Sequence, residues 1–542
     1  MGGNMEKHLL SLYQFKNQPI PQSQLAQQIG LSQKQLSRNL KRWQSEGILS
    51  YRSGKGRGQY SIINWHTDIE EDYYQQVKKL LNHGYSEEAL PYLSWPWSSL
   101  AHQKLITKSN KLLGFTKTAA NEDRLTITKR HSLLSTRPFE VLEAKNASVL
   151  MSVYDTLFKV TDDHHVTFKL AHHYDLHEHS IDIYLRPHVR FHDGSYLTSN
   201  DVKHTLEYAM QHSHTQDMLD EVNDIHLIDE LSLTIYFGRC PQILALLSSV
   251  SLSIFKEIDG RYIGTGPYFI KRDNHYTTIL KRFEGYYNST AFIDEIEMVY
   301  IPDIKEPVIG DPQQPSTTLT KNIGFFYMCQ NPESQLTADQ KQFLKFILKE
   351  EYYALIEAVK PKVLNHSRYI ESQELSRPAF DAPVKIDCIE IKESSREAFQ
   401  AIFDRYDIPF ELINHPFTVS IDRKTDLSGD YYFFGEYLDI PESLAYYQFL
   451  FGASSSIHRL MRGYKWFESI RQLYQRYPYE RWGQLNRLVD RKLDQYAIFY
   501  PLYTVPVSLT FDRTLEGLSV NQYGFIDFYQ IWRKPSKKAS HH

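Results

Sequence analysis

Apolar positions in residues 5–66 recur three times at helical spacing and then alternate. Leu9, Leu12 and Tyr13 give an inner face to a first helix near Met5–Phe15. Pro19 and Pro21 close the connection that follows, and Leu25 and Ile29 mark a second helix over Gln22–Ile29, with Gly30 placed to stop it. Ser32 is set to cap a third helix running to about Ser45, with Gly47 beyond its end. Leu36, Leu40 and Trp43, at i, i+4 and i+7, share one face of that helix. Two short strands follow, Ile48–Tyr51 and Tyr60–Ile63, joined by the glycine-rich, basic segment from Arg52 to Gln59.

The pattern changes after residue 66. Tyr73, Val77, Leu80, Leu81, Ala89, Leu90 and Leu93 predict helix over much of Asp72–Leu93, and Ser94-Trp95-Pro96-Trp97 interrupts it before a further helix at Ser98–Leu113. Trp95 and Trp97 are expected in interdomain packing, with ligand stacking as the alternative. From residue 121 onward strands and helices alternate, the mark of an α/β body. Leu125–Thr128 reads as a strand. Residues 150–157 form the end of a helix. Val166–Leu170 and Ile181–Leu185 are strands, the second with strict alternation. Pro187 and the Asp193-Gly194 pair make a turn, and Ser199-Asn200-Asp201 reads as an N-cap ahead of Val202, Leu206 and Met210. Residues 305–320 look like a loop. Beyond it come a strand at Gly324–Met328, a helix at Thr337–Glu350, a strand at Val384–Glu390, a helix at Ser394–Tyr406 and a strand at Phe417–Ile421.

Charge divides the chain at the same place. The net charge of −4 over 542 residues combines +7 in residues 1–66 with −11 in the remainder. A basic head on an acidic body implies that the head alone meets a polyanion. On the third helix Lys34, Arg38 and Lys41 lie opposite the apolar face, and Gln33, Gln35, Ser37 and Arg42 flank them. Lys55 and Arg57 sit in the tip between the two strands. A helix with this front and a basic hairpin tip fit a major groove and the adjoining phosphates, as in a winged helix-turn-helix. The alternative is a basic three-helix module that docks on a protein. The three cysteines, Cys240, Cys329 and Cys388, are unclustered, which argues against a disulfide frame or a zinc site. No secretory signal or membrane span is visible, so a cytoplasmic location is expected.

Three ordered motifs carry a resemblance to the peptide/nickel-type solute-binding proteins, covering about residues 121–532. The first is YDTLFKV followed by LRPHVRFHDGSYLTSNDVKHTLEYA, in which His188 stands where the family has glycine. The second is Gly264-Thr265-Gly266-Pro267-Tyr268. The third runs from Phe283-Glu284-Gly285-Tyr286-Tyr287 through Ile293-Asp294-Glu295-Ile296 to Ile301-Pro302-Asp303. Together with the head and the helical connector, nearly the whole chain resembles the SgrR family of transcriptional regulators, whose wing carries a G-R-G element like Gly56-Arg57-Gly58. The resemblance implies a multidomain chain, a winged helix (α+β) followed by a two-lobed α/β periplasmic-binding-protein-like body of class II, cluster C. Residues 1–66 are the expected winged helix and 67–120 the connector. Lobe I takes 121–304, lobe II takes 305–504, and 505–542 return to lobe I and the tail.

The same resemblance implies site residues. Gly435–Ser443 is similar to the "G-W-x-A-D-Y-P-D-P" run of the peptide receptors, so Tyr437 and Asp439 are candidate ligand contacts, Asp439 for an amino group. Glu436, Ile440 and Glu442-Ser443 depart from that run, and a loop cap or salt bridge is the alternative role for Asp439. Arg137, in the loop after the first strand of the body, is a candidate anion partner or an ordinary exposed arginine. His164, His165, His172, His173, His177, His179, His188 and His192 are expected as surface residues rather than nickel ligands, because alternation separates strand neighbours. No catalytic signature, metal motif or cofactor loop is present, and no enzyme is expected. The reading is a cytoplasmic regulator that binds double-stranded DNA and responds to a small solute, a peptide, sugar or sugar phosphate. A homodimer would match paired half-sites. A cytoplasmic solute receptor that docks on a protein, or a DNA-binding protein with a vestigial cleft, are the alternatives.

Overall fold

The structure is a computed structural model. It describes residues 5–534 except 17, 19, 53–61, 83–85, 94, 110–113, 119, 130–131, 141–143, 301–307, 310–315, 357–375, 417–418, 420–426, 440, 453–454 and 520–525. Lys55, Arg57, the Gly56-Arg57-Gly58 element and most of the expected strand Phe417–Ile421 lie outside the described residues.

The head forms α1 (Lys7–Tyr13), α2 (Gln22–Gln28), α3 (Gln33–Ser45) and the antiparallel strands β1 (Leu49–Arg52) and β2 (Ile62–Trp65). Local chemistry sets these ends. Ser32 and Gln35 make a reciprocal capping box at the start of α3. Gly30 and Gly47 adopt φ of +72° and +73° after α2 and α3, the left-handed geometry that ends a helix. Then come α4 (Ile69–Asn82), α5 (Ser86–Leu93) and α6 (Ser99–Ser109).

These three helices are not a free-standing connector. Val77, Leu81, Leu93 and Leu105 share one apolar core with Leu10, Leu36, Leu40 and Trp43. Glu70 fastens the junction, accepting from Gln14 Nε2 at 3.0 Å, from the Ser98 N–H at 2.6 Å and from the Ser98 hydroxyl at 2.7 Å. Trp95 and Trp97 belong to this core region. Trp95 packs edge-on to Tyr92, and Trp97 donates to the Tyr92 carbonyl at 2.7 Å. The same core includes Val299, from a strand of the body.

The body carries three principal sheets among the described residues. A five-stranded sheet runs Tyr268–Asp273, Thr277–Arg282, Glu295–Tyr300, Asp123–Lys129, Gly114–Lys117, and its central pair is parallel. An antiparallel four-stranded sheet is built from Ala171–Leu176, Ser180–Leu185, Ser232–Phe237 and Val222–Asp229. A mixed six-stranded sheet runs Val308–Ile309, Phe499–Asp512, Ser316–Gln330, Tyr431–Glu436, Val384–Ile389, Phe410–His415. The mixture of parallel and antiparallel pairs with helices between them is the two-lobed α/β architecture.

Several expectations are corrected in detail. The expected loop at 305–320 contains the start of the long strand Ser316–Gln330, because Thr317, Leu319 and Lys321 pair with Phe511, Leu509 and Val507. The expected boundary after 504 falls inside Phe499–Asp512, which continues along that same partner. The cap of helix Ser199–Gln211 is Thr198, whose hydroxyl and N–H both reach Asp201, rather than Ser199. Ser199 is buried, with its hydroxyl on the Asp229 carbonyl.

The family motifs hold turns together. His188 has φ of +61°, so the position keeps the glycine conformation without glycine. Gly264 and Gly266 lie against residue Val153, where an added Cβ would stand 2.2 Å and 2.7 Å from its carbonyl oxygen. Asp155, buried, accepts from Lys169 at 3.1 Å and from the Tyr287 hydroxyl at 3.1 Å. Across the lobes, the Asp162 carboxylate caps the helix Glu442–Phe451, accepting the Glu442 N–H at 2.7 Å.

Candidate functional site

On α3 the apolar and basic faces are opposed. Leu36, Leu40 and Trp43 are fully buried, while Lys34, Arg38 and Lys41 are exposed. Among the described residues no carboxylate pairs with these three. Their neighbours are differently employed. Gln35 is spent on the Ser32 cap. The Ser37 hydroxyl donates to the Gln33 carbonyl and accepts from Gln22 Nε2 at 2.8 Å. Arg42 is bound to Glu6 at 2.5 Å, and Trp43 Nε1 donates to the same carboxylate at 3.3 Å. Gln33 is exposed at the first turn. Of the seven head residues singled out on α3, four therefore face outward uncommitted, Gln33, Lys34, Arg38 and Lys41, and Arg42 ties α3 to α1.

The second site lies where strand Tyr431–Glu436 ends. Alternation puts Tyr432, Phe434 and Glu436 on one face, and Tyr432 and Phe434 stack at 5.8 Å. Glu436 pairs in register with Phe325 of the neighbouring strand. Its Oε2 accepts from the Ser456 hydroxyl at 3.3 Å, and its Oε1 accepts from the Tyr437 N–H at 3.1 Å. Ser456 and the buried Tyr327 hydroxyl are 2.9 Å apart. Among the described residues no lysine, arginine or histidine pairs with Glu436. Burial pushes its carboxyl up to about 7, only partly offset by those two hydrogen bonds.

Tyr437 lies against Gly324, where an added Cβ would stand 2.8 Å from its ring, and Gly324 has φ of +67°. Burial raises the Tyr437 hydroxyl above its ordinary value. Asp439 follows in the loop, half-buried. Tyr437 and Asp439 are thus brought together with Glu436. Arg137 is not brought to them. It pairs with Glu140 at 3.0 Å and lies 5.4 Å from the Tyr262 ring, exposed. Its role as an anion partner finds no support in these contacts, since a carboxylate three residues on already occupies it.

Two residues missed by sequence reasoning matter here. Glu436 had one signal, an acid where the resembled motif has tryptophan. The other is His192. It is not a surface histidine: its Nδ1 accepts the Gly264 N–H at 3.3 Å and its Nε2 donates to the Gly266 carbonyl at 3.1 Å. This pairing requires the neutral ring, and burial lowers its pKa to about 4. His164 also departs from expectation, with Nδ1 buried and the ring edge-on to Tyr479 at 5.2 Å. The remaining six histidines of the cluster are exposed. Among the described residues, no group of three or more His, Cys, Asp or Glu could hold a metal ion, and no helix is long and apolar enough to cross a membrane.

With this geometry in place, the chain was compared with known proteins. Residues 7–111 match the family described as sugar transport-related sRNA regulator, N-terminal part, and residues 177–308 match bacterial extracellular solute-binding proteins, family 5, middle part. The first match has nearly the extent of the core shared by the head and α4–α6. The HTH-type transcriptional regulator SgrR of Photorhabdus laumondii is 22% identical over 55% of this chain and 54% of its own length. SgrR of Salmonella typhimurium is 24% identical over 57% of this chain and 56% of its own length. The chain thus matches about half the length of these curated relatives. In fold the body is similar to a Pseudoalteromonas dipeptide binding protein in complex with Met-Leu, with a TM-score of 0.64 and 12% identity, covering 76% of this chain and 100% of that one. It is also similar to NikA from Brucella suis in complex with Fe(III)-EDTA, with a TM-score of 0.61 and 16% identity over the same shares.

Proposed function

We propose that this chain, which belongs to the SgrR family of an SgrR-type N-terminal region joined to a family 5 solute-binding body, is a ligand-responsive transcriptional regulator. The head binds double-stranded DNA, with α3 in the major groove and Lys55 and Arg57 of the wing on phosphates. The body closes on a small solute, and closure changes how the head is presented. The protein works in the cytoplasm, as a homodimer on paired half-sites, and catalyses no reaction.

The observation that carries this reading is the row Lys34, Arg38 and Lys41, exposed and unmatched by any carboxylate opposite the buried Leu36, Leu40 and Trp43. An uncompensated cationic row on a rigid helix is matched by a phosphate backbone. The test is a salt-titrated binding assay on DNA from upstream of the protein's own gene. Binding that weakens steeply with salt, and less steeply in Arg38→Ala/Lys41→Ala, supports the reading; binding unchanged in the double variant would falsify it.

Among peptide, sugar and sugar phosphate, Glu436 favours an amine-bearing solute such as a peptide. A carboxylate shielded from water without a cation repels a phosphate and is stabilised by an ammonium group. A thermal-shift panel of dipeptides, sugars and sugar phosphates checks this. Stabilisation by dipeptides that is lost in Asp439→Ala supports the amine reading. Stabilisation by sugar phosphates that survives it would transfer the site to the phosphate class.

A further inference from the structure

A second pocket lies elsewhere in the body, and none of Glu436, Tyr437 and Asp439 lines it. One wall comes from the segment after helix Ser199–Gln211, with Asp217, Asp220 and Glu221, and from Gln242. The opposite wall comes from helices Glu442–Phe451 and Phe467–Arg476, with Tyr447 and Phe451. Its internal volume is about 40 Å³, room for a few non-hydrogen atoms or about three waters.

We propose that this pocket binds a small primary amine, of the size of ethanolamine, held between the two walls. Gln242 is only 5% exposed, and its Oε1 is buried without a hydrogen-bond partner. Gln448 Nε2 and Gln475 Oε1, which line the same pocket, are also buried without partners. Three amide groups from two walls thus converge on one small volume unsatisfied, which proteins rarely tolerate. The charge balance says what fills it. Asp217, Asp220 and Glu221 face a single lining cation, Arg471. That arginine is shared between Asp220 at 3.6 Å and Glu468 at 3.1 Å. Burial, and then Asp217, raise the Asp220 carboxyl above its ordinary value, so the carboxylates crowd one another. An ammonium group relieves that crowding and donates to the amide oxygens, and aromatic rings are suitable walls for a cation. A hydroxyl on the same molecule accepts from Gln448.

The test uses the full chain with ethanolamine hydrochloride, against sodium chloride at equal ionic strength and ethylene glycol. Saturating ethanolamine is expected to raise the melting midpoint by about 3 °C. Gln242→Leu and Asp217→Asn should each weaken the response at least tenfold in titration, and Glu436→Gln should leave it unchanged. Without ligand, Gln242→Leu should melt no lower than the parent, because it removes an unpartnered buried carbonyl. A shift no larger than that of sodium chloride would overturn the proposal and make the pocket a water site. So would an equal shift with ethylene glycol, or a response untouched by both pocket variants.

Discussion

Two glutamates shielded from water stand in opposite circumstances. Glu295, in the five-stranded sheet, is fully buried and held by Arg124 at 2.7 Å and Lys271 at 2.5 Å. Burial works against its charge, but those two cations outweigh it, and its carboxyl lies below the ordinary value. Glu436, at the end of the six-stranded sheet, has a hydroxyl and a backbone N–H but no cation, and burial raises it. The first charge completes a structure; the second is left for something that arrives later. The head repeats the contrast on one helix, where Arg42 is matched by Glu6 and Arg38 is matched by nothing. Matched charges fasten elements to each other, and unmatched ones mark surfaces where a partner docks.

Removing one side of a matched pair should therefore have the largest effect on stability. Glu295→Gln leaves Arg124 and Lys271 facing a neutral group and should cost about 3 kcal/mol, read by urea unfolding. The parent should also lose stability as pH falls below the ordinary carboxyl range, since a depressed carboxyl contributes above its unfolded value. The variant should lose less. A cost under about 0.5 kcal/mol would mean that the network is no more than a surface pair.

The unmatched head charges should affect binding instead. Arg38→Ala/Lys41→Ala should lower the slope of log affinity against log salt by about 2 while leaving the melting midpoint in place. Arg42→Ala should do the reverse, with a stability loss of about 0.5 kcal/mol and an unchanged slope. If Arg42→Ala changes the slope as much as the double variant does, the contrast within α3 fails.

Glu436 should appear in the pH profile. A raised carboxyl contributes stability that is full below the ordinary value and is lost as pH rises toward about 7. Glu436→Gln should flatten that decline between roughly pH 4.5 and 7. An identical decline in the variant would place the titration elsewhere. The smallest effect is expected at His188. Its φ of +61° is a glycine geometry, so His188→Gly should stabilise by about 0.5 kcal/mol. A loss greater than that would show that the imidazole, 6.0 Å from the Tyr196 ring, contributes more than its backbone strain removes.

The head was legible because its signals are local. Ser32 with Gln35, Gly30, Gly47 and the spacing of Leu36, Leu40 and Trp43 act within a few residues of one another. The body motifs were legible for the same reason, as turns. Long-range pairing was not. Residues 316–320 look like loop because their order comes from Ser508–Asp512, nearly two hundred residues away. The cap at Glu442 is equally remote, supplied by Asp162 from the other lobe. At the candidate sites, residue types could be named but not their employment. Nothing local distinguishes Arg42 from Arg38, or tells that Glu140 holds Arg137. Glu436 and Gln242 stand out only by what fails to surround them, and sequence does not record that.

The stitch at Glu70 and the shared core reaching Val299 have a mechanical consequence. They remove the joint that a flexible tether would have provided, so the winged head rides on lobe I as one end of a lever. When lobe II swings, nothing inside the head has to bend. The stroke appears as a changed distance between α3 and the far lobe, a geometry that a second copy or a length of DNA can measure and one isolated head cannot.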